Sequence, residues 1–236
     1  METLFPFTGY TKLIDFKTLM PHNNSASNLI LSTAYFPPLE YFVELINARN
    51  VVTEIHETYP KQTWRNRCAI VSGNGPVNLS IPVEKPYGNA TKTHDIVISK
   101  HYPWRINHWR TIHSAYRNAP FFIYYADLIE QLIMDNGPNL LYELNDTILR
   151  ALLAELQLEA SITFTREFVR EPEGMKDRRF CISPKQKDSH GYEAPDFQPY
   201  YQVFGDRFGF IPNLSIIDLV FNFGPETALY LKQVKF

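Results

Sequence analysis

Two apolar runs, Asn28 to Ala34 and Val51 to Ile55, bracket a segment that opens on Pro37-Pro38. Proline suits the first turn of a helix, where an N–H would have no partner anyway. Leu39, Phe42, Val43 and Ile46 then fall on one helical face, so the spacing predicts a helix to about Ala48. A strand, helix, strand unit this short closes in parallel, because a crossover and not a tight turn joins its strands. The unit commits the chain to an α/β fold with a mixed, partly parallel sheet.

The rest of the sequence adds to that unit. Cys68 to Val71 and Val77 to Val83 flank Ser72-Gly73-Asn74-Gly75-Pro76, which predicts a β-hairpin, with Pro76 suggesting a loop longer than two residues. His94 to Ser99 and Ser161 to Val169 read as further strands. From Pro103 the period becomes helical: Trp104, Ile112, Ala115 and Tyr116 share a face, Pro120 opens the next helix to Met134, and Asn139 to Leu158 carries Leu141, Leu144, Ile148 and Leu152 in one stripe. Residues 170–198, rich in charge, Pro and Gly, read as a long loop or lid unable to bury a core. At the end, Asn213 or Ser215 caps a short helix, Gly224 stops it and Pro225 starts another. The expected organisation is an N-terminal extension over residues 1–27 followed by a single domain over residues 28–236, with flanking helices and the loop-rich 170–198 segment.

Composition narrows the function classes. With 236 residues, 44% of them hydrophobic, the chain can bury a sizeable core. A net charge of −2 gives no global pull toward nucleic acid or membrane. No run reaches the roughly 20 apolar residues that span a bilayer, and Cys68 and Cys181 stand far apart, so the reading is cytoplasmic, with no membrane insertion and no disulfide framework. His101, His108 and His113 lack i, i+4 spacing, which argues against a metal site. Neither a Gly-rich phosphate loop nor a G-x-S-x-G nucleophile motif occurs, and no cofactor is expected.

The candidate site lies where strands end. Residues after a parallel strand form the usual ligand edge of an α/β sheet. Tyr35 follows the first strand, and Tyr41 lies on the helix after it, so a phosphate or carboxylate docking at that turn is one expectation; the alternative is that Tyr35, Pro37 and Tyr41 only pack it. His56 follows the second strand as a candidate general base. In Lys61-Gln62-Thr63-Trp64-Arg65-Asn66-Arg67, strand alternation puts Arg65 and Arg67 on one face, an anion-sized fork, with Asn66 beside them. Either arginine has a structural alternative in Glu54, Glu57 or Asp95. Asp218 sits in the apolar stretch LSIIDLVFN, where a charge needs a partner if structural and a cleft if catalytic. Tyr35, His56, Arg65, Asn66 and Arg67 are expected to converge on one cleft, with residues 170–198 beside it. The basic and aromatic stretch Trp104 to Arg110 is the one hint of base stacking, too little for a nucleic-acid module.

Several motifs in one order also resemble a known family. Tyr35-Phe36-Pro37 with Tyr41-Phe42, Arg65-Asn66-Arg67 with Asn74-Gly75-Pro76, His108-Trp109 with Ser114-Ala115-Tyr116, Ala119-Pro120-Phe121-Phe122 and Pro212 to Asp218 with Asn222 and Gly224-Pro225-Glu226 are similar to the WbqC-like family of bacterial proteins. The resemblance spans about residues 28–230. It implies work in surface-polysaccharide assembly, near nucleotide sugars, glycans or their acyl decorations, and adds His108 to the candidate ligand contacts. Longer members carry a further helix and a glycine-rich strand between the regions matching Val169 and Pro199. The expectation is a transferase-like protein acting on an anionic small molecule such as a nucleotide sugar, with a noncatalytic binding or scaffold protein as the alternative.

Overall fold

The computed structural model describes residues 27–184 and 192–235. In chain order the elements are β1 (Asn28–Ser32), α1 (Leu39–Ile46), β2 (Val51–Glu54), a 3-10 turn (Trp64–Asn66), β3 (Arg67–Ser72), β4 (Gly75–Ser80), β5 (Val83–Glu84), β6 (Val97–Ile98), α2 (Trp104–Tyr116), α3 (Phe122–Met134), α4 (Leu141–Glu155), β7 (Ile162–Phe164), β8 (Met175–Asp177), α5 (Gly205–Phe208), α6 (Ile216–Phe223) and α7 (Thr227–Gln233). Apart from Ser27, the expected N-terminal extension lies outside the described residues.

β1 and β2 pair in parallel, Leu29 opposite Val51 and Ser32 opposite Glu54. β7 joins β2 and β8 joins β1, giving a four-stranded parallel sheet of order β7-β2-β1-β8. β1 is buried from Leu29 to Ser32, as a central parallel strand covered on both faces must be. Burying Leu29, Ile30 and Leu31 contributes roughly 1.5–3 kcal/mol each. One continuous core joins the sheet to α1, α4, the hairpin and the bundle of α2, α3 and α6. The class is α/β, as the first 28 residues after the N-terminal segment require, although the hairpin forms its own two-stranded sheet and does not extend the parallel one.

Local chemistry explains the departures. The hairpin turn is two residues, Gly73-Asn74, not longer, because Pro76 faces Val71 at a position where the Val71 N–H turns away to the Tyr116 hydroxyl (3.4 Å). A proline there removes no ladder bond. The run His94 to Ser99 yields only the two-residue β6, since Thr93 and His94 spend their N–H groups on the carbonyls of Glu57 and Ile55. β7 ends at Phe164, where the Thr165 hydroxyl and the Val169 N–H turn to the Glu54 carboxylate. The charged 170–198 segment holds a sheet strand, β8, so its charges cap the sheet and it is not wholly loop. At the end of α6, Gly224 has φ 60° and a Cβ there would stand 2.4 Å from the Phe121 ring, which explains the glycine stop.

Candidate functional site

The turn from β1 into α1 has its helix-end donors already taken. Its free N–H groups go to the closing motif: Leu39 N–H donates to the Leu214 carbonyl (3.1 Å) and Glu40 N–H to Asn213 Oδ1 (2.9 Å), while Ile216 N–H donates to Pro37 (2.9 Å). The donors expected to hold a phosphate are thus satisfied by protein. Phe36 takes φ 37°, which a phenylalanine adopts only where the surroundings impose it, and its carbonyl accepts from the Ser215 hydroxyl (2.8 Å).

Buried charge collects instead at the carboxyl ends of all four parallel strands. Arg65 from the 3-10 turn donates from Nε to Glu57 Oε1 (2.8 Å), and its Nη2 reaches the Ser32 hydroxyl at the end of β1. Ser32 donates in turn to the Arg179 carbonyl (3.0 Å). Arg179, just past β8, pairs with Asp177 (Nη2–Oδ2 2.6 Å) and with Glu54 at the end of β2 (Nη1–Oε2 3.3 Å). Glu54 also accepts from Thr165 Oγ1 (2.9 Å) and from the His56 N–H (2.7 Å). Arg65 and Arg179 are each 3% exposed, and arginine suits such positions because its planar fork matches carboxylates in two directions at once. Burial raises the Glu57 carboxyl above its usual range although Arg65 opposes the shift. Hydrogen bonds to Asp177 hold Arg179 firmly charged.

A cavity of about 350 Å³ opens over this network. Its wall comes from Pro60 to Thr63, Arg65 and the stretch Arg179, Phe180, Ile182 and Ser183. The charged side chains on that wall are Lys61, Arg65 and Arg179; the carboxylates that pair with the arginines, Glu54, Glu57 and Asp177, are not part of it. Gln62, on the rim, takes φ 58°. A smaller pit shares Arg65 and Arg179 and extends to Ser32 and Tyr41.

The sequence candidates distribute unevenly around it. Arg65 lines the cavity, but the expected fork does not form: residues 64–66 are a 3-10 turn, so strand alternation fails there, and Arg65 takes its structural alternative in Glu57 while Arg67 begins β3 opposite Ser80. Asn66 ties that turn to the Ile81 carbonyl (2.9 Å). Tyr41 donates to the Ser32 carbonyl (3.0 Å) and borders the pit. Tyr35 and His108 lie inside the core, Tyr35 Oη 3.1 Å from His108 Nδ1, and burial lowers the imidazole to about 4, so it stays neutral. Neither touches the cavity wall.

His56 is half-buried, its Nε2 3.2 Å from the Thr165 carbonyl, to which it donates. Its ring stands 4.6 Å from that of His94, whose Nδ1 is 3.0 Å from Asp95. Asp218 is 0% exposed and accepts from Tyr116 Oη (2.8 Å), Tyr200 Oη (2.6 Å) and Gln202 Nε2 (2.8 Å). That is a structural carboxylate, which a reacting group cannot reach. Of Tyr35, His56, Arg65, Asn66 and Arg67, expected to converge on one cleft, only Arg65 lines the cavity.

Comparison with known proteins places the chain. The profile of the WbqC-like protein family matches residues 33–201. The chain belongs to the WbqC-like protein family. It is 22% identical over 230 residues to "Uncharacterized protein Rv1507c" of Mycobacterium tuberculosis (strain ATCC 25618 / H37Rv), an alignment covering 87% of this chain and 97% of that one. No solved structure matches significantly.

Sequence reasoning about this WbqC-like protein missed Ser32, Thr165, Asp177 and Arg179. Asp177-Arg178-Arg179 was visible as a charge cluster. The short strand ahead of it, Met175–Asp177, has no apolar alternation to mark it, and without that strand the cluster reads as solvated loop. No helix among the described residues is long and apolar enough to cross a membrane.

Proposed function

We propose that this WbqC-like protein is a transferase-like component of bacterial surface-polysaccharide biosynthesis that holds an anionic activated sugar or related metabolite in the cavity above Arg65 and Arg179. One observation carries the reading: the ionised groups on the cavity wall are all cations, and the carboxylates that pair with the arginines are not part of it. A phosphate entering from solvent meets the exposed Lys61 first and Arg65 beyond it, while Arg179, whose donors are taken by Glu54, Asp177 and backbone carbonyls, adds its charge from within the wall. The location supports it too, since the cavity sits at the carboxyl edge of a parallel sheet. The polysaccharide pathway comes from the family resemblance.

A noncatalytic binding or scaffold role in the same pathway is the second reading. It is favoured by the same wall, which among the described residues carries no carboxylate, histidine or thiol to move a proton or attack. His56, outside that wall and tied through its backbone N–H to Glu54, is the proton acceptor we assign to the transferase reading. Incubation with nucleotide sugars separates the two. Release of free nucleotide, lost in His56→Ala with ligand binding kept, supports transfer; binding without release supports the scaffold role; absence of binding to any phosphorylated ligand contradicts both.

A further inference from the structure

The cavity wall carries one aromatic ring that the packing leaves open, and a second exposed ring flanks the same arginine. Phe180 lines the cavity and is 60% exposed, and Phe168 is 47% exposed. The Arg179 guanidinium carbon lies 5.5 Å from the Phe180 ring centre and 5.8 Å from that of Phe168. Both rings therefore border the cation at the centre of the network, with Phe180 on the cavity side. An apolar ring left in water beside a polar cavity is unfavourable for the free protein. It becomes favourable once a flat group covers it, and stacking on an aromatic face tolerates any base because every base has a π-face.

Size points the same way. A volume of about 350 Å³ lies within the range of small-molecule pockets, roughly 300–1,000 Å³, and is more than an inorganic anion requires. We propose that Phe180 is a stacking platform for the nucleobase of a nucleoside diphosphate, whose phosphates lie toward Lys61 and Arg65. The inference rests on the anion-binding reading above and deepens it by assigning the ligand a planar base.

The test is isothermal titration of the whole protein with uridine diphosphate, adenosine diphosphate, glucose 1-phosphate and inorganic pyrophosphate, for wild type, Phe180→Ala and Phe180→Tyr. Because Phe180 is exposed, both variants should keep the wild-type melting temperature. The expected result is that the two nucleotides bind about 10-fold or more tighter than pyrophosphate. Phe180→Ala should erase that difference with pyrophosphate unchanged, and Phe180→Tyr should keep it. Nucleotide binding indifferent to Phe180→Ala, with pyrophosphate still bound, overturns the platform and leaves the anion site standing. Glucose 1-phosphate showing the same dependence on Phe180 also overturns it, because the ring recognised would then be the sugar. If none of the four binds, the anion-binding reading fails and the platform with it.

Discussion

Two of the places where the molecule buries carboxylates solve the problem differently. At the carboxyl edge of the parallel sheet, Glu54 and Glu57 are balanced by the guanidiniums of Arg179 and Arg65, and a cavity stands over them. Between α2, α6 and the segment around Tyr200, Asp218 is held by three neutral donors and sealed from solvent. Three donors stabilise a carboxylate enough to keep it inside without a counter-ion, and with no exposed surface the group offers nothing to a ligand. At the sheet edge the pairs stand beside an opening, with the exposed Lys61 on the same wall. A buried acid in a motif is therefore a weak sign of chemistry until its partners are known to be charged and near an opening.

Three perturbations should break or sharpen that contrast. The largest effect belongs to Arg65→Ala. It strands the buried Glu57 carboxylate and removes a partner of Ser32, and losing one partner of a buried pair costs about 3–5 kcal/mol. Urea unfolding should show this as a lower midpoint, whereas a loss under about 1 kcal/mol would mean the pair is not formed.

The next is the pH response of His108, which lies in neither charged region. Burial lowers its folded pKa from 6.5 to about 4. A depressed histidine contributes stability that is full above the unfolded value and is lost as pH falls from about 6.5 toward 4, by up to about 3 kcal/mol. Asp218, Glu40 and Glu57 are shifted upward by burial and act in the opposite sense, favouring the folded state as pH falls. The difference between wild type and His108→Gln isolates the histidine. It should narrow steadily on acidification, and a constant difference from pH 7 to pH 4 would contradict the buried neutral ring.

Asp218→Asn should give the smallest of the three. The amide puts a donor where a carboxylate oxygen accepted from Tyr116 or from Tyr200 and Gln202, a loss of about 2 kcal/mol. Ligand affinity should not change. A variant that folds normally yet loses ligand binding would return Asp218 to the site.

How far the sequence reached follows from range. The unit of β1, α1 and β2 was legible because local periodicity and a proline define it within one stretch. Ser215 as a cap and Gly224 as a stop were legible for the same reason. Arg65 stood out in the sequence as one of two close arginines, but its geometry did not, because three residues of 3-10 turn between Thr63 and Arg67 undo the alternation. β8 pairs with a strand about 150 residues earlier, Asn28 opposite Met175, and nothing local encodes that. With it went Arg179, whose role depends on lying next to Ser32 and Glu54. Asp218 misled in the opposite way: its donors Tyr116 and Tyr200 come from distant segments, so its satisfaction was invisible in the sequence.

The central claim is that the cavity above Arg65 and Arg179 takes an anion, and Lys61 is the residue that tests it without disturbing the fold, since it is exposed and lines the wall. The measurement is the melting temperature of wild type and Lys61→Glu with and without pyrophosphate or uridine diphosphate. A ligand at about 100 times its Kd stabilises the native state by about 2.7 kcal/mol, which for a protein of 236 residues is a rise of roughly 5–10 °C. The account predicts that rise in wild type and its loss in Lys61→Glu, with equal melting temperatures for the two free proteins. An equal rise in both, or none in wild type, would contradict it.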